Sequence, residues 1–355
     1  MDVNKQIEEL QANNVPVYSI SRLDSINNCK YEAYLTYIEG NRGIDSVYTL
    51  LGGKMHEMLE AIVNDELDPK EMADIFKREV ETGEMFGVKF INEAVKNNYK
   101  YNLLHYCNNY KKPEGKFITE ERVLFQTPKG NYVQGFIDLI KVNEDGSLDI
   151  IDYKTSKKYK KKEAQKHARQ LIVYAMAKEK QGFKINRIGW DFLKYVEVSF
   201  DGYRTSTSKV RKPIKKKMER KSIAFELSHQ VEMMLKEEGY DDILTDAYLD
   251  QFRKENDFNV LPEEIANRFV MNDLIVEYEL SDETRQECLD YIDNTIEVWE
   301  NTKEYLPREM YKTQSNGEKK PDVFYCTCLC GHRKECKYIK DFSYEKEIGK
   351  EDNIF

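Results

Sequence analysis

The sequence of 355 residues predicts a mixed α/β fold, a central β-sheet wrapped by N- and C-terminal helical segments. Three strand-like runs follow one another between residues 117 and 154, separated by the turn signals KGN and NEDG. A helical stretch, KEAQKHARQLIVYAMAKEKQG, then leads into a further strand-like run, INRIGWDFLKYVEVSF, which is the order of a helix crossing back to the sheet. Helical patterns flank this centre on both sides, and no internal repeat or Pro/Gly/Ser-rich linker divides it, so residues 1–355 read as one domain.

In chain order, residues 1–115 read as helical, including LGGKMHEMLEAIV with its apolar positions three and four apart. Residues 116–202 supply the sheet core through KFITEERVLFQTP, NYVQGFIDLIKV, SLDIIDYKT and the helix and strand after them. Residues 203–310 combine a basic stretch with a long helical segment, and residues 311–355 form a cysteine-rich tail.

Apolar residues make up 40% of the chain and charged residues 34%, which fits a charged globular protein rather than a disordered one. No run of eighteen apolar residues occurs and the opening MDVNKQIEELQANN is polar, so the expectation is a cytoplasmic protein with no membrane partner. In a reducing compartment, clustered cysteines bind metal more often than they pair. The net charge of −9 argues mildly against nucleic acid, but binding depends on local patches. KTSKKYKKKE (154–163) carries six lysines, and SKVRKPIKKKMERKS (208–222) eight basic residues. Lys157, Lys158, Lys160 and Lys161 of the first, and Arg211 and Lys212 of the second, are the candidate nucleic-acid contacts.

Asp138 and Asp152 sit on strands joined by a short turn, and Asp152 and Lys154, two apart, project from one face. A two-residue Asp-Gly turn would send the two aspartates to opposite faces. A three-residue loop, Glu144-Asp145-Gly146, pairs Asn143 with Ser147 and sets Asp138 opposite Asp152, with Gly146 in the left-handed position. That register alone gathers both carboxylates and the lysine, and it is the one predicted. Two carboxylates so close repel unless a cation lies between them, and oxygen ligands suit Mg²⁺ or Mn²⁺. A lysine beside them can position an attacking water or stabilise charge on a phosphate.

GFIDLI, IIDYKT and QLIVYA together resemble the PD-(D/E)XK nuclease superfamily, in particular its RecB-type exonuclease branch. That branch carries G-x-x-D, D-x-K and Q-x-x-x-Y in this order, here Gly135/Asp138, Asp152/Lys154 and Gln170/Tyr174. The resemblance implies a restriction-endonuclease-like sheet, catalytic roles for Asp138, Asp152 and Lys154, and a Gln170/Tyr174 face close to the DNA. GGKMHEMLE resembles the branch's G-x-x-x-H-x-x-L-E helix, which implies His56 as a metal ligand beside Asp138, Asp152 and the Tyr153 carbonyl, with Glu60 in support. YSISRLDSINNCKYEAYLTYIEG resembles an N-terminal segment of the branch at Ser19, Ser21, Arg22, Leu23, Cys29 and Tyr37, and departs from it at Lys30, where proline is common.

Iron–sulfur members of the branch, among them helicase–nuclease subunits and CRISPR-associated adaptation nucleases, hold a [4Fe–4S] cluster with one N-terminal cysteine and three after the nuclease core. The resemblance implies Cys29, Cys328, Cys330 and Cys336 as its ligands, with Cys326 as the alternative to Cys328. A Zn²⁺ site confined to the four tail cysteines is the competing reading. His105, His167, His229, Cys107 and Cys288 read as structural. The function implied is a metal-dependent DNA exonuclease, phage or CRISPR-associated, acting in recombination or end processing with a recombination, helicase or integrase protein as partner. The alternatives are a structure-specific endonuclease of the same fold and a non-catalytic nucleic-acid-binding protein.

Overall fold

A computed structural model describes residues 2–202, 210–315 and 317–340. The N-terminal part holds α1 (Val3–Ala12), β1 (Val17–Ser19), α2 (Ile20–Asn28), α3 (Lys30–Tyr37), α4 (Val47–Val63), α5 (Met72–Met85) and α6 (Glu93–Asn109). The sheet continues with β2 (Lys116–Gln126), β3 (Tyr132–Val142) and β4 (Leu148–Lys154), crosses over through α7 (Lys161–Lys180), and resumes with β5 (Ile185–Gly202) and β6 (Lys212–Glu219). After α8 (Ile223–Glu237), α9 (Asp242–Glu255) and the short α10 (Glu263–Ala266), β7 (Val270–Tyr278) rejoins the sheet before α11 (Asp282–Glu300). A small ribbon, β8 (Tyr311–Thr313) and β9 (Lys319–Pro321), opens the tail.

The fold is the mixed α/β one, with parallel and antiparallel pairs in one sheet. β3 pairs antiparallel with β2 along its length; on its other edge it pairs with β1 over Tyr132–Gln134 and with β4 over Leu139–Val142. β5 behaves similarly, with β4 parallel to it as far as Phe192 and β6 antiparallel from Tyr195, while β7 pairs with its other edge. The C-terminal end of β4 therefore faces two gaps, at residues 135–138 of β3 and 193–194 of β5. Strand-end crevices of this kind are where open α/β sheets place their ligands.

Strand alternation sends neighbouring residues to opposite layers. Ile150 packs into a core with Leu171, Trp190 and Ile292, under α7 and α11. Ile151 packs into another with Leu51, Met55 and Tyr106, under α4 and α6. Between them the two layers cover both faces of the sheet centre.

The hairpin takes the predicted register. Leu139 pairs with Ile151 and Val142 with Leu148, and the Asn143 N–H donates to the Ser147 carbonyl at 2.9 Å. Gly146 has φ +81°, the left-handed value that the three-residue loop requires. Asp149 anchors this register. It is buried, and it accepts from Asn143 Nδ2 at 2.9 Å, Asn186 Nδ2 at 2.7 Å and Arg187 Nε at 2.8 Å. Burial opposes its charge, but these donors override burial and lower its pKa. Asp149→Ala should cost about 1–3 kcal/mol in a urea titration. Because the folded pKa is depressed, this contribution is present above the ordinary carboxylate range and is lost as pH falls through the folded value.

Three strands correct the sequence reading. β1 lies within a segment read as helical, and β7 interrupts the C-terminal segment read as one helical run. β6 forms from the second basic run, whose first two residues, 208 and 209, lie outside the described ones. A lysine-rich strand with only one fully buried residue, Met218, looks like a surface charge run. Lysines are also a common means of blunting an exposed strand edge.

Candidate functional site

Asp138 and Asp152 arrive opposite each other at the end of β4, as the hairpin register demands. The Tyr153 N–H donates to Asp138 Oδ2 at 2.8 Å, which locks the carboxylate across the gap. His56 comes from the middle of α4, where Ser46 caps the helix by accepting from the Thr49 N–H. Its Nδ1 lies 3.4 Å from Asp138 Oδ2, and its Nε2 lies 3.0 Å from the Tyr153 carbonyl oxygen. Lys154 Nζ lies 2.6 Å from Asp152 Oδ2.

One member of the site was missed in the sequence. Glu120 stands on β2 where the pairing of Thr119 with Leu139 and Glu121 with Ile137 puts it opposite Asp138. Its φ of +48° breaks the ladder at that residue. Ligand atoms of His56, Glu120 and Asp138 all lie within 4.8 Å of one another. A non-glycine residue in this backbone region carries a cost of about 1–3 kcal/mol, and such outliers cluster at functional sites. The available signal was the pair Glu120-Glu121 inside an otherwise strand-like run, one of which had to face Asp138.

The electrostatics are those of carboxylates crowded out of water. Burial, then Asp138, raise the Asp152 pKa against the pull of Lys154. Burial also raises Glu120, helped by Asp138 and Glu60. Burial opposes the imidazolium of His56, but the hydrogen bond and charge of Asp138 outweigh it and raise its pKa. Lys154 is likewise raised against burial by Asp152, and it stays a cation. A donor set of one imidazole, carboxylates and a carbonyl suits Mg²⁺ or Mn²⁺.

Gln170 and Tyr174 lie on α7 beneath β3. Gln170 Nε2 donates to the Tyr174 hydroxyl at 2.6 Å, and Tyr174 is 2% exposed. Tyr174 is thereby closed off from direct contact with DNA, while Gln170 stays half-buried. Its role is to brace β3 next to Asp138. Gly135 makes room for it: a Cβ there would lie 2.4 Å from the Tyr174 ring. Gly135→Ala should destabilise the protein by about 1–3 kcal/mol, read as a shift in the urea midpoint.

Lys157, Lys158, Lys160 and Lys161 are exposed on the segment that leaves β4 and opens α7, with the Lys158 ammonium 5.1 Å from the Tyr195 ring centroid. The second basic run differs. Arg211 is ion-paired with Glu237, Lys215 and Lys217 each lie 3.6 Å from Glu197, and Lys216 lies 2.5 Å from Glu226. Lys212 is exposed at the start of β6. Much of this run's charge is thus neutralised locally.

The tail folds back on the N-terminal helices. Ser19 caps α2 by accepting from the Arg22 N–H, and the Arg22 guanidinium stacks on Tyr18 and Tyr37, so this motif builds one scaffold. Cys29, between α2 and α3, shares a cavity with Cys326, Cys330 and Cys336. Cys328 does not line that cavity, which favours Cys326 over it. The reason is a single π-helical turn, Tyr325–Leu329, closed by the Cys330 N–H donating to the Tyr325 carbonyl at 2.8 Å. Residues four apart share a helical face, while Cys328, two away, is turned aside. Burial chiefly pushes the Cys326 thiol up to about 11, with Cys29 and Cys336 adding to it against Arg308. Burial raises the Cys29 thiol pKa, opposed by the nearby backbone N–H groups of Glu32 and Arg308. Sulfur ligands surrounded by N–H donors fit an iron–sulfur cluster.

Among the described residues no helix is long and apolar enough to cross a membrane. None of the curated proteins compared with the chain matches it. The family model of the PD-(D/E)XK nuclease superfamily matches residues 17–243, a span containing β1, the His56 helix, the carboxylate hairpin and the Gln170/Tyr174 helix. With more than half of its length matched and its sheet carrying the D…D-x-K hairpin, the chain belongs to the PD-(D/E)XK nuclease superfamily, whose members are metal-dependent hydrolases of nucleic acid.

Proposed function

We propose that the protein is a metal-dependent DNA exonuclease acting in recombination or DNA-end processing. The observation that carries the reading is the convergence of His56, Glu120, Asp138, Asp152 and Lys154 at the open end of β4. His56, Asp138, Asp152 and the Tyr153 carbonyl would hold Mg²⁺ or Mn²⁺, with Glu120 beside them. When bound, the ion supplies Lewis-acid polarisation of the scissile phosphate and neutralises the carboxylate repulsion. Lys154 orients the attacking water and stabilises charge developing on the phosphate, while Asp152 holds its ammonium in place. Tyr153 and Tyr174 fix the strands that carry these groups.

Lys157, Lys158, Lys160 and Lys161 lead away from the site and would track the DNA backbone, giving affinity without sequence preference and a steep salt dependence. Arg211 and Lys212 are the weaker candidates, given the ion pairs around them. Cys29, Cys326, Cys330 and Cys336 would bind a [4Fe–4S] cluster that joins the tail to α2 and α3.

The test is to incubate anaerobically purified protein with Mg²⁺ or Mn²⁺ and either end-labelled linear DNA or covalently closed circles. Degradation of linear DNA alone, from an end, is the expected result, and the label released first gives the polarity. Cutting of circles would make the enzyme an endonuclease. DNA binding with no cleavage in either metal would leave a non-catalytic binder.

A further inference from the structure

We propose that His332 is a hydrogen-bond donor to the cysteine-held group, its Nδ1–H directed at sulfur, and that it sets how firmly the group is held and how easily it is reduced. The proposal rests on the reading of Cys29, Cys326, Cys330 and Cys336 as cluster ligands. His332 lines the same cavity as these four cysteines and is 2% exposed. Its Nε2 lies 2.9 Å from Thr36 Oγ1, whereas its Nδ1 has no hydrogen-bond partner among the described residues.

Neutral imidazole carries its proton on one nitrogen and accepts on the other. We take the Thr36 hydroxyl as the donor to Nε2, which leaves the proton on Nδ1 of a ring that lines the cavity. A buried donor of this kind is seldom left without an acceptor.

The chain on either side of His332 is held by residues 43–45. The Ile44 N–H donates to the Gly331 carbonyl at 2.8 Å, and Arg333 donates to the Ile44 carbonyl at 2.8 Å and to the Asp45 carbonyl at 3.0 Å. Gly43 permits this contact: with φ +70°, its Cβ would lie 2.7 Å from the Gly331 backbone. The His332 backbone N–H already points at the Cys330 sulfur.

The setting also makes a donor useful. Glu32 lines the cavity and brings a carboxylate beside the thiolates, and its two oxygens are both 2.9 Å from the Tyr325 hydroxyl. Donors to cluster sulfur favour the reduced, more negative state, and outer partners of metal ligands govern retention. His332 is thus a positioning residue that acts through sulfur and takes no part in DNA cleavage.

The experiment compares the full chain with His332→Ala and His332→Asn, purified without oxygen. Three quantities are read: iron and sulfide content, the midpoint potential, and the rate of iron loss to a chelator. His332→Ala should lose iron about tenfold faster and have a lower potential, with His332→Asn recovering part of both because its amide restores a donor. Unchanged potential and release in His332→Ala would overturn the proposal.

If His332→Ala does not assemble, the wild-type chain decides. With isotope-labelled histidine, pulsed electron paramagnetic resonance of the reduced cluster should show coupling to a histidine nitrogen, and its absence would overturn the proposal. A wild-type chain lacking iron and sulfide would instead overturn the cluster reading, and this proposal with it.

Discussion

Lys154→Ala is expected to lower the rate of metal-dependent DNA cleavage by about 10²–10³-fold, equivalent to about 2.7–4 kcal/mol of transition-state stabilisation. The ammonium sits 2.6 Å from Asp152, and burial opposes its charge while the neighbouring carboxylates outweigh burial and hold it. That places a fixed cation where charge develops on phosphate in a partly dry site, the setting in which such groups contribute most. Removing it leaves Asp152 buried without its partner, so some loss of stability accompanies the loss of rate. A control separates the two effects: Lys154→Met preserves volume, and circular dichroism should show it folded while its cleavage stays low. If Lys154→Met cleaves at the wild-type rate, the lysine does not act on the phosphate. Asp138→Asn should be at least as severe, because Asp138 faces both His56 and the Tyr153 N–H.

The second large effect concerns the cysteines. Cys326→Ser and Cys330→Ser should each abolish retention of iron, whereas Cys328→Ser should retain it fully. The discrimination follows from the π-helical turn, which turns Cys326 and Cys330 to the cavity and Cys328 away from it. Iron and sulfide analysis of the three variants reads it directly. Loss in Cys328→Ser with retention in Cys326→Ser would reverse the assignment. Zinc without sulfide in the wild-type chain would favour the competing metal.

Much of the site was legible because its constraints are local. The hairpin register was legible because only the three-residue loop Glu144-Asp145-Gly146 brings Asp138, Asp152 and Lys154 together, with Gly146 free to take the left-handed last position. Gly135 and Tyr174 appeared as separate motif members in the sequence, and the structure shows them as one contact, ring against missing Cβ. What escaped depended on pairing across distance. β1 has only three residues, and its existence depends on β3. β7 has one fully buried position, Leu274, so it lacks the alternation that marks a half-buried strand. Glu120 became visible only once β2 and β3 were in register, and Cys326 only once the turn around it was known to be π-helical. The local neutralisation of the second basic run escaped as well, because its partners, Glu197, Glu226 and Glu237, come from other elements.

The measurement that bears most directly on the site is anomalous diffraction from crystals soaked with Mn²⁺. A peak bounded by His56, Asp138, Asp152 and the Tyr153 carbonyl, absent in crystals of Asp138→Asn, is the predicted result. No peak there at Mn²⁺ concentrations that support cleavage in solution would contradict the account and move the catalytic centre elsewhere in the chain.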